Sequence, residues 1–594
     1  MRLLFNALQF TLLQPCLGAI YDSFAQLPQD TVFDFVIIGG GAGGNAVANR
    51  LTEIPSFSVL LLEAGPSPEG LLNYTVPFFD IYLRGPGPLD WNYTVSSVGL
   101  NKRVLTFPRG RLLGGSTSIN GLGYVRGSSD DFDRYARVTG DPGWGWNELQ
   151  PYFRKNERWI APTDHHNQTE FNPEVHGFHG INSVSLAGFP SPPDIDNRVA
   201  AVVQELSDEF PYNEDINSGS PSGVSWVQSN IKHGTRSSAF TSYLGPEFIS
   251  RPNLHVLLNA QATRLIESSS NPIAFHSVEF ASGRNEPRQR VTASKEVIIA
   301  AGALETPKLL LNSGIGDKNY LTSMGIQPRV DLPDVGANLS AHVAVSLVYN
   351  VNSTQTFDEI ARNATFRNQL LDEWMGTDGG GPLGISYTSH NVFTRLPENA
   401  TIFQNNPDPA AGPRSTHLQG TVQNGDISPT VAGNFLAMPA TLLTPTSRGS
   451  IRLNTTDPFT QPLIDVASLT TDFDIFGLRE AVKMTHRFLN ATAWQGYILQ
   501  PASFSNLSFG ATDEEIETYI RANAAPNGHV VGTASMSPKG ASYGVVDPDL
   551  TVKGVRGLRV VDASILPYLP AGFTMTSTYV VAERASDMIK AKWL

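Results

Sequence analysis

The chain has 594 residues, with 42 Lys plus Arg against 55 Asp plus Glu, a formal net charge of −13, 53 glycines, 41 prolines and one cysteine. A hydrophobic content of 41% can fill large cores and excludes global disorder, and one cysteine excludes a disulfide scaffold. The negative balance argues against nucleic-acid and anionic-membrane partners, which select basic surfaces.

Residues 1–19 carry Arg2, an apolar run from Leu3 to Leu13, and the small-residue end Leu17-Gly18-Ala19. This pattern predicts a secretory signal peptide, too short to span a bilayer. Cys16 would leave with it, so the mature chain would carry no thiol. Asn-x-Ser/Thr acceptors occur at Asn73, Asn92, Asn167, Asn338, Asn352, Asn363, Asn399, Asn454, Asn490 and Asn506, which suits a secreted, N-glycosylated protein.

Residues 33–38 (Phe-Asp-Phe-Val-Ile-Ile) predict a buried strand that runs into Gly39. A helix follows, with Ala46, Val47, Ala48 and Leu51 near one face, and residues 58–62 predict a second buried strand ending at Glu63. Further buried strands are predicted at 254–258, 296–301 and 558–562, before a helix from about Thr576 to Ala591. Runs this apolar suit a parallel sheet covered on both faces. They are far apart in the chain. The expected architecture is therefore α/β, with a Rossmann-like domain assembled from discontinuous pieces at 30–130, 215–330 and 520–594. The polar stretches 131–214 and 331–519 are assigned to a second domain.

Gly39-Gly40-Gly41-Ala42-Gly43-Gly44 contains G-x-G-x-x-G. The motif follows a predicted strand, opens a predicted helix, and precedes Glu63 at the end of the next strand. That context is the dinucleotide fingerprint. Gly39, Gly41, Ala42, Gly43 and Gly44 let the backbone approach a pyrophosphate at a helix N-terminus. Glu63 is placed to accept from ribose hydroxyls. NAD and FAD are not separated by this pattern.

Two longer strings separate them. One runs from Pro108 through Arg109, Gly114-Gly115-Ser116 and Asn120 to Gly121; the other runs from Gly302-Ala303-Leu304-Glu305-Thr306-Pro307 to Gly316. Both resemble the two signatures of the GMC (glucose–methanol–choline) oxidoreductases, and the resemblance covers the whole mature chain. Asp408–Pro413, Gly532–Pro538 and Gly544–Leu550 look most like fungal secreted aryl-alcohol oxidases. The resemblance implies an FAD-binding domain plus an α+β substrate domain whose β-sheet is covered by helices. It implies FAD contacts from Trp91, Arg109, Gly115, Ser116, Asn120, Gly121, Gly123, Ala262, Asp562, Ala563, Thr574 and Met575. Gly121 and Gly123 would leave room for a flat ring. Ile119 stands where some relatives tether FAD to a histidine, which implies non-covalent FAD. The implied protein is a monomer that takes a small-molecule alcohol and passes electrons to O2 or another acceptor.

Alcohol oxidation by flavin sends a hydride to the flavin and the hydroxyl proton to a base, and histidine suits that task. Twelve histidines are present, and residue chemistry alone does not choose among them. The resemblance selects His529. A second His or Asn normally lies near the start of the last helix; counting from Leu566-Pro567, that position is Phe573. Aromatic residues of the aryl-alcohol oxidases are replaced by Gly528, Asn406 and Gly121, so their aromatic funnel is largely missing. Phe573 motivates an alternative, a non-redox lyase or cyclase with FAD as a structural cofactor. His165-His166 and His176-Gly177-Phe178-His179 lie in Pro/Asn/Gly-rich loops and are expected to be solvated, without a metal.

Overall fold

The computed structural model describes residues 19–28, 31–166, 169–186, 188, 194–426 and 431–594. The predicted signal peptide up to Gly18, Cys16 and Asn167 lie outside the described residues.

Phe33–Ile38 and Val59–Leu62 are β-branched and leucine-rich, and nearly every position is buried. They form the middle of an eight-stranded sheet whose order is Ala19–Tyr21, Leu254–Leu257, Val59–Leu62, Phe33–Ile38, Gln289–Ile299, Ile273–Ala281, Gln261–Ser270. Leu558–Val560 also pairs with Gln289–Ile299. The first five strands and Leu558–Val560 run parallel, while the last two turn back as an antiparallel hairpin. Helices Ala42–Leu51 and Thr574–Trp593 pack together against this core. The expected discontinuous Rossmann-like architecture is present.

A second sheet has nine strands, among them Ser340–Val345, Ala440–Leu442, Leu418–Gln423, Thr388–Thr394 and Ala525–Val531. Helix Asp472–Leu489 covers one face, packing Leu478, Val482 and Phe488 against Val343, Leu418 and Leu442. The other face carries Phe393, which packs near Phe573 at the start of the last helix.

The strands and helices cross the expected division in three places. Ser129–Thr139 and Trp146–Asn156 place Phe132, Tyr135, Leu149 and Phe153 in the first core, although 131–214 is assigned by sequence to the second domain. Their apolar faces are complementary to the last helix rather than to the second sheet. Gly223–Trp226 and Ala525–Val531 pair into the second sheet, although their neighbourhoods are assigned to the first.

His176 is a correction. It is not solvated: it is 3% exposed and lies between Glu157 and Asp215, at 2.7 Å from the latter. Arg126, wholly buried, pairs with the same Glu157. Burial alone would lower the His176 pKa, but the two carboxylates hold it above the ordinary value. Two cations facing two anions satisfy the rule that buried charges are paired. Among the described residues, no group of three or more His, Cys, Asp or Glu side chains is arranged to hold a metal ion. No described helix is long and apolar enough to cross a membrane.

Candidate active site

Gly41 is the N-cap of helix Ala42–Leu51 and supplies no side-chain cap, so the first-turn amides keep free donors. A side chain at Gly43 would run into the Val561 carbonyl. That close approach brings the end of Leu558–Val560 onto the glycine loop. Beyond it, Asp562 accepts from Gly302 N at 3.0 Å and Thr306 Oγ1 at 2.6 Å, and Ala563 opens a short 3-10 turn. Glu63 accepts from Gly40 N and Gly65 N, each at 2.8 Å. Burial nonetheless pushes its pKa up to about 7.

The 108–121 string folds over this loop. Gly114 N donates to Gly40 O at 2.6 Å, and Gly115–Ser118 is a 3-10 turn. Ser116 Oγ accepts from Gly110 N. Asn120 is tied down on both sides, with Oδ1 accepting from Arg236 and Nδ2 directed at Met575 Sδ, 3.1 Å away. Arg236 is buried and also bonds the Thr117 and Asn120 carbonyls; burial lowers its pKa to about 9. Trp91 stacks on Tyr93 with centroids 5.9 Å apart. Arg109 donates to the Gly528 carbonyl. Ile119 is buried in an apolar cluster with Tyr74, Leu83 and Leu112. Ala262 lies on the Gln261–Ser270 strand, half-buried against the first core.

Gly121 and Gly123 lie close against other side chains. A side chain at Gly123 would meet Phe573 Cε2 at 2.6 Å, and one at Gly121 would meet Arg84 Nη2 at 2.8 Å. Their missing side chains let Phe573 and Arg84 approach the backbone here.

His529 projects from Ala525–Val531 and is half-buried. Burial and the nearby Arg109 charge push its pKa down to about 4. Phe573, the N-cap of Thr574–Trp593, stacks on it with centroids 5.1 Å apart and 29° between planes. No side chain caps this helix either, so the amides of Thr574 and Met575 favour negative charge. A second imidazole was not singled out in the sequence: His342 Nδ1 lies 3.0 Å from His529 Nδ1. Alternation along Thr388–Thr394 puts Asn391 on the face of Phe393. Asn391 Oδ1 accepts from Gln419 Nε2 and Thr421 Oγ1. Asp131, which accepts from Ser128 N at the start of helix Ser129–Thr139, also accepts from Ala571 N and so anchors the loop that carries Phe573.

Two uncapped helix starts, a glycine loop in which a side chain at Gly41 would meet nothing closer than 4.0 Å, and a buried acid fit a flavin dinucleotide. The GMC oxidoreductase family model matches residues 33–344 with its N-terminal part and 445–582 with its C-terminal part. The chain belongs to the GMC oxidoreductase family. Its cofactor is FAD, and it is an oxidoreductase acting on CH–OH groups. It is 40% identical to the dehydrogenase eriK of Hericium erinaceus over 97% of each chain. It is 37% identical to pyranose dehydrogenase 3 of Leucoagaricus meleagris, over 96% of this chain and 95% of the other. Among solved structures it is similar to a fungal aryl-alcohol oxidase, with a TM-score of 0.79, 26% identity, and 95% and 99% of the two chains covered. This GMC member thus shares its fold with the aryl-alcohol oxidases while standing nearer in sequence to two dehydrogenases.

Proposed function

We propose that this protein is a secreted, N-glycosylated alcohol oxidase or dehydrogenase that oxidises a primary alcohol to an aldehyde, with His529 as the general base. FAD, held non-covalently, supplies the hydride acceptor. The observation that carries the reading is the half-buried, neutral His529 beside the uncapped start of the last helix. Its Nδ1 is engaged by His342, which leaves Nε2 as the atom that takes the hydroxyl proton. Gly39 to Gly44, Gly115, Ser116 and Asp562 would hold the pyrophosphate and ribityl, Glu63 the adenosine ribose, and Ala262 the adenine. Asn120, Thr574 and Met575 would face the flavin ring, with Trp91 and Arg109 at the border of the site. The helix start favours the anionic reduced flavin.

Phe573, Phe393 and Leu443 make one apolar wall, and Asn391, Gln419 and Thr421 offer hydrogen-bonding groups near it. This mixture suits an alcohol on a part-polar skeleton, such as a secondary metabolite or a sugar, better than a bare aryl alcohol. Eight of the nine glycan acceptors among the described residues are exposed, which supports secretion. The test is anaerobic bleaching of the flavin by a panel containing 4-methoxybenzyl alcohol, D-glucose and a terpenoid primary alcohol, with His529→Gln as control. Bleaching by one of them, lost in the variant, is expected; bleaching by none would sink the reading.

Phe573 favours a second reading, a lyase or cyclase that uses His529 as acid and base around a structural FAD. Turnover that persists with a redox-inert flavin analogue would select it.

A further inference from the structure

We propose that His342 is a positioning residue for His529: it accepts the Nδ1–H of His529 and so keeps the His529 Nε2 lone pair free for the alcohol proton. This rests on the reading of His529 as the base.

The two rings meet edge to face, with centroids 5.1 Å apart and 86° between planes, and their Nδ1 atoms are 3.0 Å apart. Two bare lone pairs at that distance repel, and two N–H groups cannot share a bond. One ring donates and the other accepts. Which one donates is decided on the far side of His342. That ring is fully buried, and its Nε2 closes no hydrogen bond of full geometry. Besides His529, the backbones of Pro570 and Leu443 bear on the ring and favour its protonated form, as carbonyls do. A carbonyl only accepts. An Nε2–H is compatible with such neighbours, whereas a buried lone pair facing them is repelled and unsatisfied. His342 is therefore the Nε2–H tautomer, and its Nδ1 is an acceptor. His529 is then Nδ1–H, with Nε2 basic.

The backbone holds this pairing. Ser340–Val345 and Ala525–Val531 are adjacent antiparallel strands, with Ala341 opposite Val530. The register slips between Ala341 and Val343, so residues 527–529 bulge opposite His342. Bulges re-aim side chains in this way beside functional sites. When His529 takes the alcohol proton, its Nδ1–H bond to neutral His342 becomes charge-assisted and stronger. The proton stays on His529 rather than passing to His342 Nδ1, because His342 is fully buried and His529 only half-buried, and the deeper ring is the costlier place for a charge.

The test reads ring protonation directly. FAD-loaded protein with 15N-labelled histidine is examined by NMR as parent, His342→Asn, whose Oδ1 can replace the Nδ1 acceptor, and His342→Leu, which has none. His529→Gln assigns the signals. Expected is Nδ1–H at His529 in the parent and His342→Asn, and Nε2–H populated in His342→Leu. Nε2–H at His529 in the parent overturns the inference, and so does an unchanged Nδ1–H in His342→Leu. If the Leu variant fails to fold, the parent spectrum decides. In the rate arm, the reducing alcohol of the panel should bleach His342→Leu about 10- to 100-fold slower, with His342→Asn largely rescued. A parent rate in folded His342→Leu overturns the positioning role but leaves the base standing. A parent rate in His529→Gln removes the base reading itself.

Discussion

Replacing Phe573 by histidine tests whether the apolar residue at the start of the last helix limits activity. The backbone there is extended, at φ −102° and ψ 133°, and the position is an N-cap, so a polar residue is tolerated. The ring already lies against the His529 imidazole at 5.1 Å. A nitrogen introduced there comes within reach of an oxygen that also reaches His529. One hydrogen bond made to a developing alkoxide contributes about 1–3 kcal/mol, or about 5- to 150-fold in rate. Against this, an imidazole packs less well than Phe573 beside Val125, Phe393 and Ala571, at a cost of about 1 kcal/mol in stability. The assay is anaerobic stopped-flow reduction with 4-methoxybenzyl alcohol, which separates the limiting rate from apparent binding. A folded, FAD-loaded Phe573→His protein with an unchanged limiting rate would refute the reasoning and show that the position does not face the reacting oxygen.

Glu63→Gln should weaken FAD retention about 10- to 100-fold, because one of the two amides now bonded by Glu63 would face a donor instead of an acceptor; equilibrium dialysis against FAD checks this, and unchanged retention contradicts it. His176→Leu leaves Arg126 alone against Glu157 and Asp215 and should cost about 3–5 kcal/mol. The folded pKa of His176 is raised, so its contribution is full below the unfolded value of about 6.5 and fades as pH rises through the folded value. Melting curves should therefore show a larger gap between parent and variant at pH 5.5 than at high pH, and a pH-independent gap would be fatal to this account. Asn338 should carry no glycan, since its Nδ2 already donates to Ser535 Oγ and Pro567 O; glycopeptide mass spectrometry finding occupancy there, rather than at exposed Asn399 or Asn454, would contradict the structure.

The cofactor framework was legible because its signals are local. Phe33–Ile38, the glycine loop and Val59–Leu62 follow one another closely, and each shows its own period. What escaped depends on contacts distant in sequence. His342 sits in Ser-Ala-His-Val-Ala, which carries no motif, and its partner is 187 residues away. His176 lies in a Gly-rich loop that reads as solvated, but Glu157 and Asp215 close over it from either side of the chain. Phe132, Tyr135, Leu149 and Phe153 join the first core, and nothing local in 131–214 says which of two cores receives them. Gly123 is singled out by the resemblance, and only the fold shows that Phe573 lies where its side chain would be.

The sheet order has a consequence for how the chain is made. Val297–Ile299 pairs with Leu558–Val560, and the bond from Gly302 N to Asp562 spans 260 residues. At ribosomal speeds of about 5–20 residues per second, that side of the strand waits on the order of tens of seconds for its neighbour. During this interval the nascent sheet presents an unsatisfied edge, which invites mispairing. The bulge bearing His529 leaves the ribosome late in this wait, and the carboxylate of Asp562 and the last helix leave only after it. A nascent chain therefore has no redox-competent fragment, and the share of the flavin's binding energy that Asp562, Thr574 and Met575 would supply becomes available only once they have been made.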